Sequence, residues 1–257
     1  MPQEIVEVKD LNVTYKSIHA VRDVSFSVKS GEIIAVIGQN GSGKTSSVEC
    51  IEGLRKPESG HIRVFGRDPW LHRSEVYREM GVQLQEAEYP QRIRVEELCR
   101  LFAAFYERPA DWNLLLRQMG LDGKRKYTVS RLSGGEKQRL SIILSVIGRP
   151  RLLILDELTT GLDPEVRRNM RVSFKNIQKS GAAIIMVSHY LDEVEALANK
   201  ILYLEKGEQL FFGTQTEFRE YAKSRVPSNE WKDDASLETV YLLIAPKTAG
   251  MTLEGLL

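Results

Sequence analysis

Eight consecutive residues, Gly38-Gln39-Asn40-Gly41-Ser42-Gly43-Lys44-Thr45, combine the groups that phosphate binding demands. Glycines let a backbone wrap closely around phosphate oxygens with successive N–H groups turned inward as donors. A helix opening near Thr45 adds the positive end of its dipole. Lys44 places a mobile cation on the terminal phosphates, and the Thr45 hydroxyl can ligate Mg²⁺. The β-branched run Glu32–Ile37 precedes the string and the helix-like stretch Ser46–Leu54 follows it. That context separates a nucleotide cradle from a glycine-rich turn carrying an exposed lysine.

A second chemical cluster stands 112 residues after Lys44, where Leu152-Leu153-Ile154-Leu155 runs into Asp156-Glu157. An apolar strand ending in a carboxylate beside such a cradle is a means of holding magnesium, so Asp156 is the expected metal residue, acting through water. Glu157, one position on, points differently and can accept a proton from attacking water. Taken alone, the two acids could merely cap the next turn. Ser188-His189, after the apolar run Ala182–Val187, is the other polar strand end able to reach a terminal phosphate.

The elements that must position these groups read as an α/β fold. Leu11, Val13 and Tyr15 alternate on one face of a strand, and Val24, Phe26 and Val28 on a face of the next. Short apolar runs bounded by glycine fit strands buried on both faces of a parallel sheet, and ligands bind such sheets at the carboxyl ends of their strands. From about Glu96 to Gly148 the pattern turns helical, with Leu140, Ile143, Leu144 and Ile147 at helical spacing. A helix is expected after Asp163-Pro164 and before Gly181, a hairpin over Leu202–Phe212, and a helical piece near Ser236–Ile244.

Composition narrows the class. The chain has 257 residues, with 36 basic against 35 acidic, so bulk attraction to nucleic acid is not expected. Apolar runs such as Leu101–Tyr106 span six residues, against about 20 for a membrane-crossing helix. The amino terminus lacks a basic stretch followed by an apolar one, so no secretory signal is expected. Cys50 and Cys99 fall in apolar-patterned helical stretches and read as buried thiols in a cytoplasmic protein.

Between the cradle and the carboxylates lies Leu132-Ser133-Gly134-Gly135-Glu136-Lys137-Gln138-Arg139, a second anion-binding helix end. This string resembles the signature of ATP-binding-cassette (ABC) ATPases, and it stands in the family's order with the cradle, the carboxylates and the histidine. The resemblance covers about Ile5 to Gly213. It implies a P-loop NTPase core, mostly parallel sheet flanked by helices, with an antiparallel β subdomain and an α-helical subdomain. The ATPase domain would span 1–224, with the helical subdomain at about 90–150 and a partly helical tail over 225–257.

The resemblance also implies ATP and Mg²⁺ as the bound species. Gly38 to Thr45 would bind ATP, and Ser133, Gly134 and Gly135 would contact the γ-phosphate of ATP held by a second subunit, like or unlike. Gln85 matches the family's glutamine loop, sensing metal and attacking water, so Thr45, Gln85 and Asp156 form the expected metal set. Glu157, His189, Gln85 and Lys44 are the expected catalytic residues. Asp163, in Gly161-Leu162-Asp163, would address the opposite site. Tyr15 resembles the aromatic that stacks on adenine, although core packing beside Leu11 and Val13 is a rival. Leu158 stands where the family commonly has proline and Glu136 where it often has glutamine; neither removes a group the chemistry uses.

The implied function is the nucleotide-binding subunit of a transporter, attached to the cytoplasmic face of the membrane through a separate permease. Val82–Gln85, Arg94–Leu98 and Leu237–Leu242 resemble drug- and polysaccharide-type exporters, although Leu237–Ile244 could simply cap the core. The alternative is a non-transport ABC ATPase acting on nucleic acid or ribosomes. Those relatives usually carry paired cassettes, long inserts or zinc modules. Lys124-Arg125-Lys126 with Arg131 is a small basic cluster that could serve it, and a solvated loop face explains that cluster at least as well.

Overall fold

The short apolar runs divide their side chains between two cores. In β3 (Ile33–Ile37), Ile34 and Val36 enter one cluster while Ile33, Ala35 and Ile37 enter another on the opposite face. β6 (Leu152–Asp156) and β7 (Ala183–Val187) alternate in the same way. A strand covered on both faces has no polar side, which is why these runs lack hydrophobic–polar alternation. The computed structural model describes residues 3–83, 89–90, 92–156 and 164–246.

Five parallel strands form the centre: β5 (Met80–Gln83), β6, β7, β3 and β8 (Lys200–Glu205), side by side in that order. β9 (Glu208–Thr214) turns back antiparallel on β8, forming the expected hairpin. Beyond it β2 (Ile18–Lys29), β1 (Glu4–Tyr15) and β4 (Ser59–Val64) make an antiparallel extension, joined to β9 where Arg22 pairs with Glu208. The architecture is α/β with a mostly parallel sheet.

Helix α1 (Lys44–Ile51) packs between the antiparallel strands and one face of the central sheet. The short α2 (Arg73–Val76) follows β4. α3 (Val95–Ala103), α4 (Trp112–Gln118) and α5 (Gly134–Val146) close on a third core of their own. Leu140, Ile143, Leu144 and Ile147 are all buried in it, as their spacing predicts. The opposite sheet face is covered by α6 (Pro164–Lys179), α7 (Leu191–Leu197) and α8 (Gln215–Lys223).

α9 (Leu237–Ile244) starts at Ser236, whose hydroxyl accepts from the Thr239 amide at 3.2 Å. Leu237 and Val240 are buried against α7 and α8, so the helix does cap the core, while Leu242 is exposed. Cys50 and Cys99 are buried free thiols, pushed up to about 12 by burial and therefore protonated and unreactive. Among the described residues, no helix is long and apolar enough to cross a membrane.

Candidate nucleotide-binding site

A cleft of about 870 Å³ opens where β3, β6 and β7 end, at the carboxyl edge of the parallel sheet. The loop after β3 forms its floor. Gly38 has φ 148° and Gly43 φ 98°, backbone regions that favour glycine. A β-carbon on Gly38 would collide with the Leu204 carbonyl, and one on Gly43 with the Ala20 carbonyl. The loop is thus pressed between β8 and the start of β2. Gly43 is the N-cap of α1, with no side chain capping the helix and no acid in its first turn. This helix end therefore offers its amides and dipole to an anion from outside.

Asn40, Gly41, Ser42, Gly43, Lys44 and Thr45 all line the cleft. Lys44 is buried, and its Nζ donates to the Gly38 and Gln39 carbonyls at 2.8 Å each. Gln39 turns its own side chain away, its Nε2 donating to the Pro246 carbonyl at 2.9 Å. Asp156 and His189 reach the same cleft from the ends of β6 and β7. Gln85, Glu157, Gly161, Leu162 and Asp163 lie outside the described residues. The Thr45 hydroxyl and the Asp156 carboxylate are hard oxygen donors facing one space, a set that suits Mg²⁺ arriving with phosphates and water.

Tyr15 lies at the cleft wall and is 38% exposed, whereas Leu11 and Val13 are buried. Pairing between β1 and β2 slips between Val13 and Thr14, where the buried run ends. The core-packing rival therefore fails geometrically. Sequence reasoning passed over His19, Arg22 and Lys206, which also face the cleft. Lys206 stands in the β8–β9 turn at φ 50°; read locally it is only a turn residue, and the hairpin's place beside the cradle gives it its position.

Ser133, Gly134 and Gly135 do not line this cleft. Ser133 is the exposed N-cap of α5: its hydroxyl accepts from the Glu136 amide at 3.3 Å, and the Glu136 carboxylate accepts from the Ser133 amide at 2.9 Å. Glu136 also pairs with Lys124 at 3.4 Å. The Ser133 amide, aided by Lys124, holds the Glu136 carboxyl below its usual range. In this chain the glutamate standing in place of glutamine is thus a capping residue. Within the basic cluster Arg125 is likewise engaged internally, with Asp122 at 2.7 Å and with Asn113 at 2.7 Å.

Glu52, at the C-cap of α1, is a buried carboxyl that the sequence did not single out. Burial, and secondarily the charge of Asp156, pushes it up to about 8. The folded chain keeps this proton to about pH 8 while the unfolded chain releases it near 4.5, so rising pH through that window favours unfolding. Glu52→Gln should remove the penalty. Its melting temperature should gain on the parent's as pH rises from about 5 to about 8, at on the order of 1.4 kcal/mol per unit of pKa difference. A gap independent of pH would contradict the buried protonated carboxyl.

The sequence profile of the ABC transporter family matches residues 21–160, more than half of the chain. The chain belongs to the ABC transporter family. It is an ABC-type ATPase. Among its relatives is the linearmycin resistance ATP-binding protein LnrL of Bacillus subtilis, 29% identical over 221 residues, covering 83% of this chain and 70% of LnrL. The methionine import ATP-binding protein MetN of Rhizobium johnstonii is 33% identical over 215 residues, 80% of this chain but 59% of MetN. A solved ATP-binding subunit of an ABC transporter superposes with TM-score 0.84 at 28% identity, covering 93% of this chain and 98% of that one. The cassette MJ0796, described as dimeric, shares the ABC fold at TM-score 0.74 and 21% identity, over 82% of this chain and 98% of its own.

Proposed function

We propose that this chain is the ATP-hydrolysing subunit of an ABC transporter, working as a head-to-tail pair on the cytoplasmic face of a separate membrane subunit. The observation that carries this is the separation of two glycine-bearing helix ends: α1 opens into the cleft, while Ser133 and Gly134, exposed at the tip of α5, stand outside it. A second copy, or an unlike ABC subunit, would bring that tip onto phosphates held in the cleft; MJ0796, of the same fold, is described as dimeric.

In this reading Lys44 exchanges its two carbonyl partners for the terminal phosphates. Thr45 and Asp156, with Gln85, would hold Mg²⁺, which would supply neutralisation of the charge developing on the phosphates. Glu157 takes the proton of attacking water, His189 approaches the γ-phosphate from the end of β7, and Asp163 addresses the opposite site. Tyr15 receives the adenine. The unit doing this spans 1–224, with the helices of 90–150 as the lobe that carries the α5 tip.

The membrane subunit docks on the helical lobe. There α3 exposes Leu101, Phe105 is exposed just beyond it, and a groove of about 540 Å³ is lined by Phe105, Arg78, Arg108 and Arg149. The direction we propose is export, on the exporter-like stretches in the sequence and the likeness to a resistance protein. The MetN relatives are named for import, so direction must be read in vesicles. Solubilised membranes should yield this chain with a multi-helix membrane protein and without RNA or DNA. Recovery with nucleic acid or ribosomes alone would overturn the transport reading.

Lys44→Ala should weaken ATP binding at least about tenfold, since charge-assisted hydrogen bonds to phosphate are lost. Calorimetry checks it, and unchanged affinity would remove Lys44 from the site.

A further inference from the structure

Tyr15 is held from behind by one helix. Its hydroxyl lies 3.1 Å from Ser46 Oγ and donates to Glu49 Oε2 at 3.4 Å. Ser46 and Glu49 are three apart on α1 and so share a face. The Arg55 guanidinium, just past the end of that helix, lies 4.2 Å from the centre of the Tyr15 ring, and its Nε donates to Glu49 Oε2 at 2.7 Å. One carboxylate thus ties both the phenol and the cation. Tyr15 and Ser46 line the cleft, whereas Glu49 and Arg55 do not. The guanidinium thus stacks on the ring from a residue that does not itself line the cleft.

The same α1 begins at Lys44, in the phosphate cradle. A helix is rigid over a few turns, so this arrangement links the aromatic platform to the phosphate grip through one element. We propose that Glu49 and Arg55 are positioning residues for the nucleobase: they clamp Tyr15 to α1, fixing the distance and tilt between the base platform and the phosphate loop. This rests on the reading that Tyr15 receives adenine. Neither residue touches nucleotide; each acts through Tyr15. A cation over an aromatic face contributes modestly at a partly exposed site, so the effect should be graded and confined to the base.

The test is calorimetric binding of Mg²⁺–ATP and of inorganic tripolyphosphate to the full chain and its variants, with steady-state ATPase assays alongside. Arg55→Ala should weaken ATP about two- to fivefold and leave tripolyphosphate unchanged. Its KM should rise by a similar factor with kcat retained. Arg55→Lys should recover most of the loss, and Glu49→Gln should fall between. Tyr15→Ala should weaken ATP at least as much as Arg55→Ala, again sparing tripolyphosphate. If Tyr15→Ala costs ATP affinity but Arg55→Ala binds ATP as well as the parent or better, the clamp is overturned and the base platform stands. Equal loss of tripolyphosphate in Arg55→Ala would also overturn it, by showing general damage to α1. If Tyr15→Ala itself leaves ATP affinity unchanged, the base reading falls and the clamp with it.

Discussion

Glu157→Gln should bind ATP as tightly as the parent and hydrolyse it at least about a hundredfold more slowly. The substitution keeps side-chain size and a hydrogen-bonding carbonyl oxygen but removes the ability to accept a proton. The groups proposed to grip the triphosphate, the cradle amides of Gly38–Thr45 and the Lys44 ammonium, are untouched. Two chains closed on ATP would then have no way to reopen, so size-exclusion chromatography with Mg²⁺–ATP should show a lasting dimer in place of a transient one. Hydrolysis at the parent rate would remove Glu157 from the role of base.

Ser133→Arg should leave each chain able to bind ATP and prevent the pair from closing. The Ser133 hydroxyl caps α5 from an exposed position, accepting from the Glu136 amide at 3.3 Å. Loss of that cap costs about 1 kcal/mol, too little to unfold a domain whose third core lies beneath Leu140, Ile143 and Leu144. The arginine would place a long charged chain where the proposed pair brings two backbones within reach of phosphate oxygens. ATP-driven dimerisation should vanish and turnover should fall by roughly a hundredfold, the scale expected when a charge-stabilising contact is lost. Ser133→Thr, which keeps a capping hydroxyl, should retain the folded helix end and much of the activity. Normal dimerisation of Ser133→Arg with ATP would contradict a contact across the pair.

Much of this was legible in the chain because its signals are local. A cradle is a contiguous string, and the runs Ile33–Ile37, Leu152–Leu155 and Ala183–Val187 declare double burial by their unbroken apolar character. α5 shows itself in the helical spacing of Leu140, Ile143, Leu144 and Ile147. Strand order was not legible: nothing in β8 states that it pairs with β3, since partners are chosen by tertiary packing. The environment of Tyr15 was equally hidden, because the slip after Val13 depends on the partner strand. Glu49, Glu52 and Arg55 read as ordinary polar residues at the end of a helix. Only the folding of α1 against β1 and the sheet makes one a buried acid and the others a clamp.

The direct measurement of the shared site is ATPase activity of a mixture of Lys44→Ala and Ser133→Arg chains, each strongly impaired alone. In a head-to-tail pair of the two, one site carries both defects and the other carries neither. The mixture should therefore recover turnover, rising with the concentration of either partner toward one intact site per mixed pair. Activity no greater than the sum of the two variants measured separately, at every ratio and concentration, would mean that each chain builds its site alone.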